Sequence, residues 1–231
     1  MNNNQNIEDL EHIRSLMERS SKFLSLSGFS GIAAGVIALV GAAIAYFIVF
    51  EQGAVKYDEH MRALGRGSTM GIRLQMAALA ASVLVCAVCA AWFFSSRKAK
   101  RAGTRLWTAT ARRTLYHFLI PLATGGIFCV TLVMNHDIHL VGSATLIFYG
   151  LALVNSGKFT VDEVHYLGLS EIVLGLLAGV FLNYGLLFWA LGFGVMHIVY
   201  GIRMYHNPKP DAAVENFVQT GYNRFHRRSY L

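Results

Sequence analysis

The stretch Leu167-Gly168-Leu169-Ser170-Glu171-Ile172-Val173-Leu174-Gly175-Leu176-Leu177 reads as the middle of a membrane-spanning helix with one carboxylate set into it. A charge at the bilayer centre costs about 2.5 to 3.5 kcal/mol on insertion scales, so Glu171 requires a partner and marks a candidate functional site.

The whole chain has the composition that this stretch implies. Hydrophobic residues make up 55%, charged residues 14%, and only 3 residues are proline, which excludes a disordered chain and an ordinary soluble domain. Apolar segments fall at approximately 23–50, 72–94, 115–134, 138–154, 164–182 and 184–205. Each approaches the length needed to cross a hydrocarbon core of about 30 Å at about 1.5 Å per residue. The expected fold is an all-α membrane protein of six transmembrane helices arranged as hairpins. Residues 1–22 form a cytoplasmic amphipathic segment, 23–205 the six-span domain and 206–231 a basic cytoplasmic tail. The fourth segment is the shortest; without it, five spans and a re-entrant segment would put the termini on opposite sides.

Basic residues set the orientation. With six spans, sixteen of the 20 lysines and arginines fall on the side of the termini, including Arg97, Lys98, Lys100, Arg101, Arg105, Arg112 and Arg113 between spans two and three. Lys56, Arg62, Arg66 and Arg73 fall on the other. The positive-inside rule then places both termini in the cytoplasm, and the expected location is a bacterial inner membrane. The net charge of +7 is read as a topology signal; no soluble element for reading nucleic acid is visible, so no nucleic-acid partner is expected.

The polar opening, with Glu8, Asp9, Glu11 and Glu18, argues against a cleavable signal peptide. Ile7, Leu10, Ile13 and Met17 recur at helical spacing, which fits either an amphipathic helix on the inner membrane surface or an extension of span one. Pro208 and Pro210 stop the sixth helix. Beyond them Arg224, Arg227 and Arg228 lie among Phe225, His226 and Tyr230, a composition suited to anionic lipids at about 1 kcal/mol per charge. Cys86 and Cys89 have the CxxC spacing but lie on an apolar helix, as does Cys129, and read as small packing residues without a redox role.

Gly168, Glu171, Gly175 and Gly179 share one stripe of span five; Ala190, Gly194, His197 and Gly201 share one of span six. Small residues let membrane helices approach closely, so both stripes should face protein. A tight turn near Asn183-Tyr184-Gly185 makes the two spans antiparallel neighbours. Glu171 is twelve residues before Asn183 and His197 fourteen after it, a depth difference of about 3 Å, so the two can meet. Tyr149 on span four lies at a comparable level, and Tyr200 one turn nearer the cytoplasm. Glu171, His197 and one or both tyrosines form the expected site. The carboxylate and imidazole could share a proton in a relay, bind a cationic substrate, or only fix helix register by a hydrogen bond. A metal there lacks a third ligand.

The other histidines have blander readings. His117, His165 and His206 fall near the inner membrane face, with no paired spacing for haem, and no motif names a cofactor. On the outer side His60, with Asp58 and Glu59, and His136, Asp137 and His139 offer metal-ligand chemistry in two loops, but not at a zinc spacing.

Ile147-Phe148-Tyr149-Gly150-Leu151 and Ile198-Val199-Tyr200-Gly201-Ile202 are similar at a shift of 51 residues, as parallel repeats of hairpins would be. Glu171-Ile172-Val173-Leu174-Gly175-Leu176-Leu177, followed by a short turn and Ile198-Val199-Tyr200-Gly201-Ile202, resembles the HdeD-like family of small bacterial membrane proteins. The resemblance covers spans three to six and implies six spans in glycine-bearing hairpins and an association with acid stress. It carries no catalytic or binding residue onto this chain, which departs from the family in its charged opening segment and long first outer loop. Two function classes follow. One is a transporter or proton-conducting protein using Glu171 and His197. The other is a non-catalytic interaction or stress-related regulatory protein whose partners are the bilayer, its anionic lipids and a second copy of the chain. An intramembrane enzyme would need a nucleophile beside a base, and none is visible.

Overall fold

The computed structural model describes residues 27–50, 70–101, 107–135 and 137–206. The expected N-terminal amphipathic helix, the first outer loop with His60, the residue His136 and the basic tail lie outside the described residues. Within them every regular element is helical: α1 (Gly28–Phe50), α2 (Met70–Arg101), α3 (Ala109–Met134), a 3₁₀ turn (Ile138–Leu140), α4 (Val141–Gly157) and α5 (Asp162–Val180). The last span is composite. A 3₁₀ turn (Leu182–Tyr184) leads into α6 (Gly185–Trp189), a π-helix (Ala190–Met196) and α7 (His197–His206).

Six helical stretches are long and apolar enough to cross a membrane. The fourth, Ile138–Gly157, is 20 residues long, which at about 1.5 Å per residue reaches about 30 Å, so the five-span alternative is not needed. Helices suit this environment because each satisfies its own backbone polar groups where no water can. The exposed threonines of α3 follow the same logic: Thr124 and Thr131 donate to the carbonyls of Ile120 and Ile127, one turn back on their own helix.

Pro121 interrupts this self-sufficiency. It lies inside α3 and has no N–H to offer the carbonyl four residues earlier, that of His117. Asn155 of α4 fills the gap, its Nδ2 donating to His117 O at 2.8 Å. One polar side chain thus ties α4 to α3 at the point where the proline leaves an acceptor bare.

The helices pack in the order α2, α1, sixth span, α5, α4, α3, and α6 also touches α4. The outermost two, α2 and α3, are the least buried, which suits faces turned to lipid. Cys86 and Cys89 lie on the exposed surface of α2 and Cys129 is half-buried, so the first two are not the interior packing residues that their apolar setting suggested.

Two junctions in this row are built alike. Where α4 crosses α5, a methyl at Gly150 would lie 2.6 Å from Gly168 O, and one at Gly168 would lie 2.8 Å from Gly150 O. Where α7 crosses α1, the same reciprocal approach joins Gly28 and Gly201, at 2.5 and 2.8 Å. Both distances are too short for a side chain, so only glycine permits these crossings. The flanking contacts also match. Ile172 covers Gly150 as Ile32 covers Gly201, and Ile147 covers Gly175 as Ile198 covers Gly35.

The 51-residue repeat between spans four and six is therefore structural, and it has a counterpart between spans one and five. Gly28, Ser30, Ile32, Gly35, Ala38 and Val40 recur 140 residues later as Gly168, Ser170, Ile172, Gly175, Ala178 and Val180. At one place the two junctions trade sizes. Leu39 fills the space over Gly194, whereas the corresponding Gly179 lies against Ser143. The Ser143 hydroxyl then donates to Gly175 O at 2.6 Å across α4 and α5.

Candidate functional site

The glycine stripes do not face each other, as a simple hairpin of spans five and six would require. Gly168, Gly175 and Gly179 face α4, while Gly194 and Gly201 face α1. Both stripes face protein, but each serves a junction with a different neighbour. What spans five and six share instead is the polar pair.

Glu171 is 0% exposed and His197 6% exposed. The Glu171 Oε1 lies 3.3 Å from His197 Nδ1. That contact is a close approach of charge-bearing groups without hydrogen-bond alignment, and neither carboxyl oxygen has a hydrogen-bond partner. On its other side Nδ1 lies 3.1 Å from Gly192 O, and Nε2 lies 2.9 Å from the Tyr149 hydroxyl. Two acceptors beside Nδ1 assign it the hydrogen of a neutral imidazole, so Nε2 accepts from the Tyr149 O–H. In an imidazolium the last bond reverses, with Nε2–H donating to the Tyr149 oxygen.

Gly192 lies in the π-helix, where its carbonyl meets a side chain. A π-turn directs a carbonyl toward the N–H five residues on, which for Gly192 is that of His197. The His197 N–H instead bonds Gly194 O, and the imidazole Nδ1 takes the Gly192 carbonyl. Gly192 also admits the carboxyl. A Cβ at that position would overlap Glu171 Oε2 and lie 2.5 Å from Leu146 Cδ2. Neither the π-helix nor Gly192 was legible from stripe spacing, because Gly192 is off the Gly194–His197–Gly201 stripe. The Gly192-Phe193-Gly194 pair of glycines inside an apolar run is the only local signal.

Tyr149 thus joins the pair directly. Tyr200 does not: its hydroxyl lies 3.3 Å from Ser170 Oγ, one residue before Glu171. Aromatic rings enclose the imidazole, with Phe193 5.0 Å from Tyr149 and 6.0 Å from His197 between centroids. Phe118 and Trp189 extend this wall, edge-on to Tyr149 and beside Phe193 respectively. Toward the α4–α5 connection, Leu153, Val161, Val164 and Leu167 form a buried apolar cluster against which Tyr149, Met196 and Tyr200 pack. In that frame Glu171 and His197 are buried in apolar surroundings, and Tyr149 beside them is partly buried.

The remaining histidines have structural surroundings. His117 stacks on Phe159 at 4.9 Å, and His165 packs over Gly157. Asp137 and His139 lie at the start of span four, and among the described residues no three His, Cys, Asp or Glu side chains come together as a metal site. Compared with protein-family models, curated proteins and solved structures, the chain matches none.

Proposed function

We propose that this is a small bacterial inner-membrane protein that moves protons, alone or coupled to a substrate, through Glu171 and His197. One observation carries the reading: a carboxyl group 0% exposed, with both oxygens lacking a donor, faces an imidazole nitrogen at 3.3 Å. Buried polar atoms left without partners are rare and costly, and they concentrate where a group must change state. Intramembrane carboxyl and imidazole groups that face the bundle interior are the usual stations of proton pathways.

The relay follows from the hydrogen positions. A proton reaching the Tyr149 oxygen lets the tyrosine pass its own hydrogen to His197 Nε2. The imidazole then releases its Nδ1 hydrogen to Glu171, so one proton has advanced and the imidazole is neutral with its hydrogen on Nε2; that hydrogen must return to Nδ1, and Glu171 must release its proton, before another can pass. The association of the HdeD-like family with acid stress fits such a protein by analogy. Cytoplasmic termini, basic segments held by anionic lipids and self-association through small-residue faces belong to the same proposal.

A second reading is favoured by the burial of the pair: Glu171 and His197 would hold spans five and six in register in a protein whose role is interaction. Flux of protons into proteoliposomes under a pH gradient separates the two. The relay predicts flux that Glu171→Gln abolishes; wild-type protein without flux, or a fully active Glu171→Gln variant, would refute it.

A further inference from the structure

We infer that the ion handled at Glu171 is a bare proton and that Gly192 is the residue that enforces this. The inference rests on the proposed role of the Glu171–His197 pair and adds the residue that keeps other cations from it. Glu171 Oε2 is seated against the Cα of Gly192. A Cβ on Gly192 would overlap the oxygen and lie 3.2 Å from Glu171 Cδ and 2.5 Å from Leu146 Cδ2, so the carboxyl and Leu146 fill the place that a side chain would take. A dehydrated metal cation needs several oxygen or nitrogen ligands around it at about 2.0 to 2.6 Å. The groups at hand are one carboxyl, a carbonyl already accepting from Nδ1, and a hydroxyl already bonded to Nε2. A proton needs no such volume. It adds to a carboxyl lone pair to form an O–H bond, and leaves by breaking that bond with the pair returning to oxygen.

Gly192 acts on both sides of this exchange. Its missing side chain admits Oε2, and its carbonyl offers the Nδ1 hydrogen a second acceptor, 3.1 Å away against 3.3 Å to Oε1. While Glu171 is ionised, the Nδ1 hydrogen lies between the carboxylate and Gly192 O; once it has passed to Glu171, the carboxyl O–H faces the bare Nδ1 nitrogen. Gly192 is therefore a positioning and selectivity residue, and it exchanges no proton itself.

The test uses the full-length protein in lipid. Infrared difference spectra between acid and alkaline pH should contain a carboxyl C=O band that is absent in Glu171→Gln. Its titration midpoint should be the same in sodium, lithium or potassium salts. A midpoint moved about tenfold in proton concentration by saturating sodium or lithium would overturn the inference, because a competing cation would then share the site. In the same spectra Gly192→Ala should shift the band frequency, and proton flux should fall by at least about tenfold. Should Gly192→Ala fail to fold, the pair Gly192→Ala with Glu171→Asp withdraws the carboxyl by one methylene and should restore folding with a displaced band. Either form giving an unshifted band would also overturn the inference. No band removed by Glu171→Gln would instead defeat the underlying relay, a different outcome from a band that cations displace.

Discussion

The α4–α5 and α7–α1 junctions have one backbone design and different contents. Both cross at reciprocally nested glycines and are covered by isoleucines in equivalent places. At the repeat position where α5 has Glu171, α1 has Gly31; where the sixth span has His197, α4 has Leu146. Each crossing therefore has one member of the polar pair, Glu171 in the first and His197 in the second, and the equivalent position in the other crossing is small or apolar, Gly31 or Leu146. Neither polar group is repeated, so what sets Glu171 and His197 apart is their departure from the shared backbone design.

The largest expected effect comes from making the site half like its apolar counterpart. His197→Leu leaves the buried Glu171 carboxyl without its neighbour, and should destabilise the protein by about 3 to 5 kcal/mol. Glu171→Met combined with His197→Leu removes both groups, and should recover wild-type stability or exceed it by about 1 to 4 kcal/mol while proton flux stays absent. Unfolding in mixed micelles measures the first quantity and proteoliposome flux the second. A double variant as unstable as the single one would show that the pair is needed for packing, and the contrast between the junctions would collapse.

Glycine substitutions test the shared design. Gly168→Ala and Gly28→Ala each force a methyl against a backbone oxygen, so each should cost about 1 to 3 kcal/mol. Gly126, which has open space where a Cβ would go, serves as the control: Gly126→Ala should be neutral or stabilising by up to about 1 kcal/mol. Flux should divide the two junctions, falling in Gly168→Ala, one turn from Glu171, and persisting in Gly28→Ala. Away from both junctions, Asn155→Ala uncovers the His117 carbonyl that Pro121 leaves bare, at about 1 to 3 kcal/mol. Replacing Pro121 by alanine in that background should recover most of the loss, because the restored N–H again reaches His117 O.

Much of this was legible in the residues, for reasons that also mark the limit. Span number and the depth of Glu171 against His197 follow from apolar run length and helical rise, both insensitive to neighbours. That both stripes face protein was legible, but which helix each one faces depends on tertiary order, and the stripes themselves do not name it. The spacing of 140 residues between Gly28 and Gly168 was visible in principle, but its meaning depended on seeing Ile32 and Ile172 in the same place over different glycines. The π-helix was hidden because local propensity says nothing of an extra residue accommodated in one turn. That turn fixes where the imidazole points, and hence why only one of the two candidate tyrosines reaches it.

The smallest energetic effect is the most discriminating. Tyr149 and Tyr200 are repeat equivalents, each followed by the glycine of its crossing, and each hydroxyl has one polar neighbour. Tyr149→Phe and Tyr200→Phe should therefore cost similar small amounts, about 0.6 kcal/mol, the average for a hydrogen bond between membrane helices. Their effects on proton flux should diverge. Tyr149→Phe removes the hydroxyl that supplies His197 Nε2 and breaks the relay at the imidazole, whereas Tyr200→Phe removes only a contact to Ser170, whose hydroxyl still donates to Tyr166 O. Equal stability with unequal flux would place the function in the chemistry at Nε2. Equal flux would mean that the proton reaches His197 without Tyr149, leaving Glu171 and His197 as the working pair.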